Sequence, residues 1–333
     1  MSLAAPRVNE SMMPLATAAG AEPRVRSESV WALALRSGRV VVGGGILLAI
    51  VLVCVSTMYF TLRRSSPLYY DLQDRTRSLD NHQTVVPKAW PPKAWFGFDG
   101  LGRSIFARCL LGGTFSLFVG IAAATISVVL GVSVGLIAGY RGGWVDAALM
   151  RSVDVLYGLP YILLVILFKI AFEDPLTRLF DNRQAANLVV LFSAIGLVSW
   201  LTMARVVRGQ VLSLRAQPFI EACRAMGIPR WRIFARHILP NLVGPITVYA
   251  TLTVPQAILQ ESFLSFLGVG VNAPLPTWGS LASDAVNNLS PVKIYWWMLL
   301  FPCILLVVTL LSLNFMGDGL RDIFDPKREA AKI

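Results

Sequence analysis

The residues whose types and spacing best fit a chemical task lie in one basic, amphipathic stretch, residues 205–241. Apolar side chains and arginines recur there at helical spacing, which predicts helices that lie against a membrane surface. Gly227, followed by Ile228-Pro229, predicts a break, and Trp231–Ile238 predicts a second short helix that ends at Leu239-Pro240. Two short helices joined at a glycine hinge form a protrusion that a partner protein can grip in a groove. The predicted chemistry is therefore binding.

Cysteines, histidines and lysines offer no catalytic or nucleotide site. The four cysteines are far apart and lack metal-ligand spacing. The chain has only two histidines, which are too few to predict a catalytic zinc site. None of the six lysines stands in a G-x-x-x-x-G-K-[S/T] loop, which would cradle phosphates. The sequence thus predicts a non-catalytic chain without a cofactor of its own, so that any ATP and Mg²⁺ must be bound by other polypeptides.

Glu261 and the adjacent Ser262 lie toward the end of an apolar run. A carboxylate deep in hydrocarbon costs about 2.5–3.5 kcal/mol on insertion scales, so Glu261 should face either the bundle interior or water. Two interpretations stay open at this point: a packing role at a kinked helix end, and a pore-lining role that Ser262 would share.

The elements that must position these residues are transmembrane helices. Of the 333 residues, 55% are hydrophobic and only 15% are charged, well below the usual share for a soluble domain. About 20 apolar residues span a bilayer as a helix. The sequence predicts an all-α polytopic protein with six spans, placed at Val40–Thr61, Phe115–Tyr140, Val155–Phe172, Ala186–Val206, Leu242–Leu264 and Ile294–Phe315.

Small and kinking residues within these spans predict how they pack. Gly131, Gly135 and Gly139 are spaced by four, which places them on one helical face and permits close approach of another helix. The interior prolines are predicted to act as kinks that the bundle tolerates; they are Pro160, Pro245, Pro255 and Pro302.

Basic residues predict the orientation. With the N-terminus inside, the shorter connections carry 9 Lys and Arg on the inner side and 3 on the outer side. The same rule accounts for the net charge of +11 without nucleic-acid binding. The sequence predicts a cytoplasmic tail 1–39, in which residues 1–28 are disordered and a short interfacial helix follows them. A first span 40–61 and an extracytoplasmic loop 62–114 come next. The rest is a transmembrane domain 115–316 that contains a coupling loop 207–241, and a cytoplasmic tail 317–333.

Several motifs in order resemble the permease subunits of ABC importers, over residues from about 96 to 327. Glu221-Ala222-Cys223, then Gly227, then Leu239-Pro240 is similar to the EAA loop of that family, with Cys223 where alanine is usual. The ending from Arg236-His237 to Pro240-Asn241 looks like the peptide and nickel importer variant. Further matching segments are Phe96-Gly97-Phe98-Asp99, Val198-Ser199-Trp200, Glu261–Gly268 with Trp278-Gly279, and Gly317-Asp318-Gly319.

The resemblance implies a type I ABC-importer permease fold in a bacterial plasma (inner) membrane, with both termini cytoplasmic. It implies a heterodimer with a homologous permease subunit, two cytoplasmic ATPases and an extracytoplasmic substrate-binding protein, and import of oligopeptides or dipeptides, with a metal chelate as the alternative. Loop termination falls to His237, Leu239 and Pro240. The residues implied in ATPase coupling are Glu221, Ala222, Cys223, Arg224, Ala225, Met226 and Gly227.

Three other classes make different demands on the sequence. A self-sufficient secondary transporter or channel needs ionisable residues in several spans, and only Lys169 and Glu261 qualify. A membrane enzyme needs converging Asp, His, Cys or Ser groups, and the spans offer none. A helix that merely rests on lipid headgroups would not require the glycine or the Leu-Pro pair.

Overall fold

The structure is a computed structural model that describes residues 30–74, 85–271, 273–288 and 295–324. The prediction of a disordered segment 1–28 therefore lies outside the described residues. The helices are α1 (Val30–Arg36), α2 (Gly38–Leu62), α3 (Ile105–Arg141), α4 (Gly143–Tyr157), α5 (Tyr161–Phe180), α6 (Arg183–Arg215), α7 (Pro218–Ala225), α8 (Arg230–Ile233), α9 (Leu239–Phe266), α10 (Trp278–Asn287) and α11 (Trp296–Phe324).

The predicted all-α polytopic architecture is confirmed. Within the described part of the chain, five helices are long and apolar enough to cross a membrane, counting Arg230–Phe266 as one. The pair α4 and α5 gives a sixth candidate span if it is counted together, although the two helices meet at 94°. The short helix predicted before the first span is present as α1.

The predicted third span, Val155–Phe172, is wrong as a single helix. Helix α4 ends at Tyr157, and α5 begins only at Tyr161, with Pro160 at its N-cap. Proline disfavours helical backbone at the residue before it and has no N–H for the preceding turn, so Pro160 breaks the helix and does not merely kink it. Pro245, Pro255 and Pro302, in contrast, lie inside α9 and α11 as predicted.

Two boundaries differ because hydropathy reports membrane depth and not helix ends. Helix α3 begins at Ile105, inside the predicted outer loop 62–114, where the Ser104 hydroxyl accepts a hydrogen bond from the Ala107 N–H at 3.3 Å. Helix α11 continues to Phe324, into the predicted tail 317–333. A capped helix can extend beyond the bilayer when its flanking turns have partners.

The glycine face of α3 allows the predicted close approach of another helix, and that helix is α6. A Cβ added to Gly131, Gly135 or Gly139 would lie 2.5, 2.6 and 2.8 Å from the nearest atoms, which belong to Met203, Ala204 and Val211 respectively. These separations are shorter than van der Waals contact, so only glycine allows the two helices to approach this closely.

Both described ends of the chain lie at the same end of the bundle. Arg39, at the start of α2, pairs with Asp322 of α11 at 3.3 Å, and Gly43 lies against the backbone of Ser312. Gly244, near the start of α9, contacts Phe324. The beginning of α2, the end of α11 and the first turns of α9 are therefore neighbours.

A buried ion-pair network closes the opposite end. The Asp99 carboxylate accepts hydrogen bonds from Arg103 Nε at 2.7 Å and from Arg108 Nη1 at 2.8 Å. Arg108 also reaches Asp284 of α10 at 3.1 Å, and Arg103 reaches Asp71 at 3.3 Å. This network joins the segment before α3 to α10.

Candidate functional site

The predicted coupling segment contains one distinct short helix, α7, anchored by two side chains. Ile220 is fully buried and Cys223 is 8% exposed, and both belong to an apolar cluster with Val207 and Val211 of α6. The spacing of three residues places Ile220 and Cys223 on one face of α7. Cys223 thus faces this chain, and Ile220 is an anchor that the motif comparison did not single out.

The rest of the surface of α7 is open. The exposed residues of the motif are Glu221, Ala222, Arg224, Ala225, Met226 and Gly227. Because α7 is held from one side only, this surface is free to meet a partner.

Gly227 ends α7 in a Schellman turn. Its φ is +73°, its N–H donates to the Arg224 carbonyl at 3.0 Å, and the Ile228 N–H donates to the Cys223 carbonyl at 3.1 Å. A side chain is disfavoured at this φ, whereas an added Cβ would meet nothing within 4 Å in this chain. The glycine is therefore required here by backbone conformation.

The second short helix predicted over Trp231–Ile238 is present, but its predicted end at Leu239-Pro240 is wrong. Helix α8 passes through a π-helical segment, Phe234–Ile238, directly into α9, so that Arg230–Phe266 is continuous. The Leu239 N–H donates to the Phe234 carbonyl in a wide turn just before Pro240, which has no N–H to donate. His237, Leu239 and Pro240 therefore lie within a helix and do not terminate one.

The predicted coupling loop 207–241 is also shorter than expected. Helix α6 continues past the predicted span end at Val206 to Arg215, and the chain turns only at Ala216 and Gln217. Apolar side chains such as Val211 continue to pack against α3 there, which keeps the helix intact beyond the hydrocarbon.

Two ion pairs brace α6 against α4. Arg208 donates to both oxygens of Asp146, at 2.5 and 2.7 Å, and Arg205 donates to Asp154 at 2.9 Å. A bidentate arginine–carboxylate pair fixes geometry as well as charge. The sequence shows these aspartates near a turn, but their partners lie more than 50 positions away.

Glu261 and Ser262 are both buried within this chain. The hydroxyls of Ser265 and Ser116 donate hydrogen bonds to the Glu261 carboxylate at 2.6 and 3.2 Å. The backbone N–H of Trp278 donates to Ser116 Oγ at 3.3 Å. An added Cβ on Gly279 would clash with the backbone of Ser262. This geometry favours the packing interpretation over the pore-lining one.

A polar cavity of about 480 Å³ lies between the α4–α5 break, α6 and α9. Its lining combines amides and hydroxyls with apolar groups and includes no Asp, Glu, Lys or Arg among the described residues; the polar members are Gln256, Gln260, Thr253, Ser199, Thr202, Tyr157, Tyr161 and Tyr249. Gln256 is exposed in mid-helix, and Gln260 Oε1 is buried without a partner in the described chain. Amides in such positions need a hydrogen-bond partner from water, a ligand or another chain.

Known proteins with the same organisation are membrane components of importers. Residues 131–330 match the family described as binding-protein-dependent transport system inner membrane component. The chain is 37% identical over 319 residues to the oligopeptide transport system permease protein OppC of Bacillus subtilis, covering 94% of this chain and 96% of that protein. It is 42% identical over 247 residues to the dipeptide transport system permease protein DppC of the same organism, covering 74% and 73%.

The fold is also similar to that of a transporter of known structure. The inward-facing MetNI methionine ABC transporter matches with a TM-score of 0.50 at 21% identity, over 65% of this chain and 96% of the matched chain. At this level of identity the likeness shows the fold alone.

Proposed function

This chain belongs to the family of inner membrane components of binding-protein-dependent transport systems, the permease subunits of ABC importers, and we propose that it couples ATP hydrolysis by partner subunits to peptide import. The observation that carries the coupling role is the short helix α7, which is anchored on one face by Ile220 and Cys223 and open over the rest of its surface. A helix presented in this way fits a groove on a partner.

The bracing around α7 supports transmission of force into the bundle. Helix α6, which leads into the coupling segment, is continuous and is joined to α4 by the Arg208–Asp146 ion pair. The helix Arg230–Phe266, which follows the coupling segment, is continuous as well. Movement of α7 is therefore passed to two spans at once. In the proposed cycle, closure of the ATPases on ATP shifts α7, and the spans switch the pathway between inward- and outward-facing states.

The proposed assembly has a homologous permease as the second half of the pathway, two cytoplasmic ATPases that hold ATP and Mg²⁺, and an extracytoplasmic binding protein. We place it in the bacterial plasma membrane with both termini cytoplasmic, because α7 and both described chain ends share one end of the bundle. Access of an external antibody to a tag at either terminus in intact cells would contradict this orientation.

Replacing Glu221 with lysine tests the coupling role. Reversing the charge of Glu221, which is exposed on the open surface of α7, should lower peptide import and substrate-stimulated ATPase activity about tenfold, because a partner groove that accepts a carboxylate there would meet a charge of the wrong sign. The assay uses the purified complete transporter in proteoliposomes. The matched control is Gln210→Lys, which introduces a lysine at an exposed position of α6 outside α7 and should leave both rates within about twofold. Normal rates in Glu221→Lys would refute the coupling role.

The proposed peptide substrate rests on the relatives and on the polar cavity. Peptides of varied sequence share a backbone of amides, and the cavity offers amides and hydroxyls without fixed charge. Such a wall can exchange hydrogen bonds with any peptide backbone without selecting the charge of its side chains. We therefore assign Gln256 and Gln260 to this subunit's wall of the pathway.

The double substitution Gln256→Leu/Gln260→Leu should reduce the maximal rate of peptide import about tenfold. It removes two amides from the wall while keeping side chains that a membrane helix tolerates. Uptake of labelled peptide into proteoliposomes measures the effect. Thr125→Val, on an exposed face of α3 away from the cavity, is the control and should transport normally. Equal uptake by the double variant and the control would exclude these glutamines from the pathway.

A further inference from the structure

Four arginines from separate segments converge beside α7 on a second cavity, of about 210 Å³. We call it the arginine pocket. Its lining consists of Tyr140 and Arg141 at the end of α3, Arg215 at the end of α6, Arg224 on α7, and Arg230, Ile233 and Ile238 beyond the Gly227 turn. The pocket thus touches both sides of that turn and both spans that flank it.

The positive charge in the arginine pocket is not neutralised by any ion pair within the part of the chain that the structure describes. Among the described residues, no carboxylate forms an ion pair with any of the four arginines. Arg215 donates to the backbone carbonyls of Gly139 and Tyr140, at 2.6 and 3.1 Å, which are neutral acceptors. The Tyr140 hydroxyl is buried and has no hydrogen-bond partner in the described structure. Nearby Arg205 and Arg208, by comparison, each have an aspartate.

The donors in the pocket suit a phosphate. Guanidinium groups present paired N–H donors that match the spacing of phosphate oxygens, and a tyrosine hydroxyl can donate one more bond. Arginines that cluster without a carboxylate repel one another unless an anion lies between them.

The position of the pocket indicates the source of that phosphate. It lies where the apolar run of α3 ends, at Tyr140-Arg141. Trp144 and Trp231, at the same end of the bundle, are 82% and 66% exposed. Exposed tryptophans beside the ends of spans are typical of the headgroup level of a membrane, where anionic phospholipids attract basic residues.

We propose that the arginine pocket binds the phosphate of an anionic phospholipid headgroup. The bound phosphate bridges Arg224 and Arg230 to Arg141 and Arg215, and so ties the coupling helix to α3 and α6. The proposal rests on the proposed function only in placing this end of the bundle at the membrane surface, and lipid binding can be measured without transport.

Native mass spectrometry of the purified complete transporter, titrated with phosphatidylglycerol or with phosphatidylcholine, tests the proposal. The wild type should retain a tightly bound copy of phosphatidylglycerol that Arg141→Gln/Arg230→Gln loses, with affinity lower by about a hundredfold. Each lost charge-assisted bond contributes about a factor of ten. Binding of phosphatidylcholine should not change. Arg151→Gln, an exposed arginine on α4 outside the pocket, should bind phosphatidylglycerol as the wild type does.

The remaining arms separate the alternatives. Arg141→Lys/Arg230→Lys keeps the charge but removes the paired donors, and its affinity for phosphatidylglycerol should lie between those of the wild type and the double glutamine variant. If the double glutamine variant does not assemble, Arg230→Gln alone should show about a tenfold loss. Displacement of the lipid copy by millimolar inorganic phosphate would indicate a site for soluble anions and overturn the proposal. Unchanged binding of phosphatidylglycerol in the glutamine variants would overturn the proposal as well, whether or not the ATPase subunits stay attached to the purified transporter. Failure of the Glu221→Lys prediction would leave this test unaffected.

Discussion

Replacing Asp99 with alanine is expected to destabilise the protein by about 3–5 kcal/mol. Asp99 accepts hydrogen bonds from Arg103 and from Arg108, and Arg108 is only 4% exposed. Without Asp99, the buried guanidinium of Arg108 keeps, among the described residues, only its ion pair with Asp284 at 3.1 Å, and an uncompensated buried charge is among the costliest defects in a folded protein. Thermal unfolding of the purified transporter in detergent measures the loss.

Two controls separate charge from local geometry. Asp99→Asn keeps the oxygen that accepts from the Leu101 and Arg103 N–H groups, so most of the loss should remain if charge is its cause. Arg39→Ala breaks an ion pair whose arginine side chain is 65% exposed, and its effect should be within about 1 kcal/mol. Equal losses from Arg39→Ala and Asp99→Ala would contradict the special cost of the buried network.

Replacing Gly135 with valine should destabilise the transporter by about 3 kcal/mol or more, with less folded complex recovered. An added Cβ would lie 2.6 Å from the Ala204 carbonyl oxygen and 2.8 Å from Val207, and neither a backbone oxygen nor a packed helix can yield cheaply. Helices α3 and α6 would have to separate. The amount of complex on size-exclusion chromatography and its unfolding temperature report the effect.

Gly209→Val provides the matched control. Gly209 lies on α6, and an added Cβ there would meet nothing within 4 Å. Because valine is a somewhat better helix former than glycine, stability should stay within about 0.5 kcal/mol of the wild type or rise slightly. If the two valine variants behaved alike, close approach at Gly135 would not be what holds α3 to α6.

The sequence by itself determined the features whose cause is local. A run of apolar residues such as Val40–Thr61 is stable only in a membrane or a protein core, so this span can be predicted from its own residues alone. The repeat of Gly131, Gly135 and Gly139 lies on one face of any helix, whatever packs there. Gly227, followed by Ile228-Pro229, marks the end of a helix in the sequence because glycine and proline are the residues that most strongly interrupt helices.

Tertiary structure decided what depends on segments distant in the chain. Only packing shows that Arg230–Phe266 is continuous through the Leu-Pro pair, and that Glu261 bonds Ser116 within the chain. The partners of Asp146 and the convergence of arginines beside α7 are likewise invisible in spacing. Local rules report the cost of placing one residue in one environment. Pairings between remote charges are set by how the helices cross, which no short window of sequence contains.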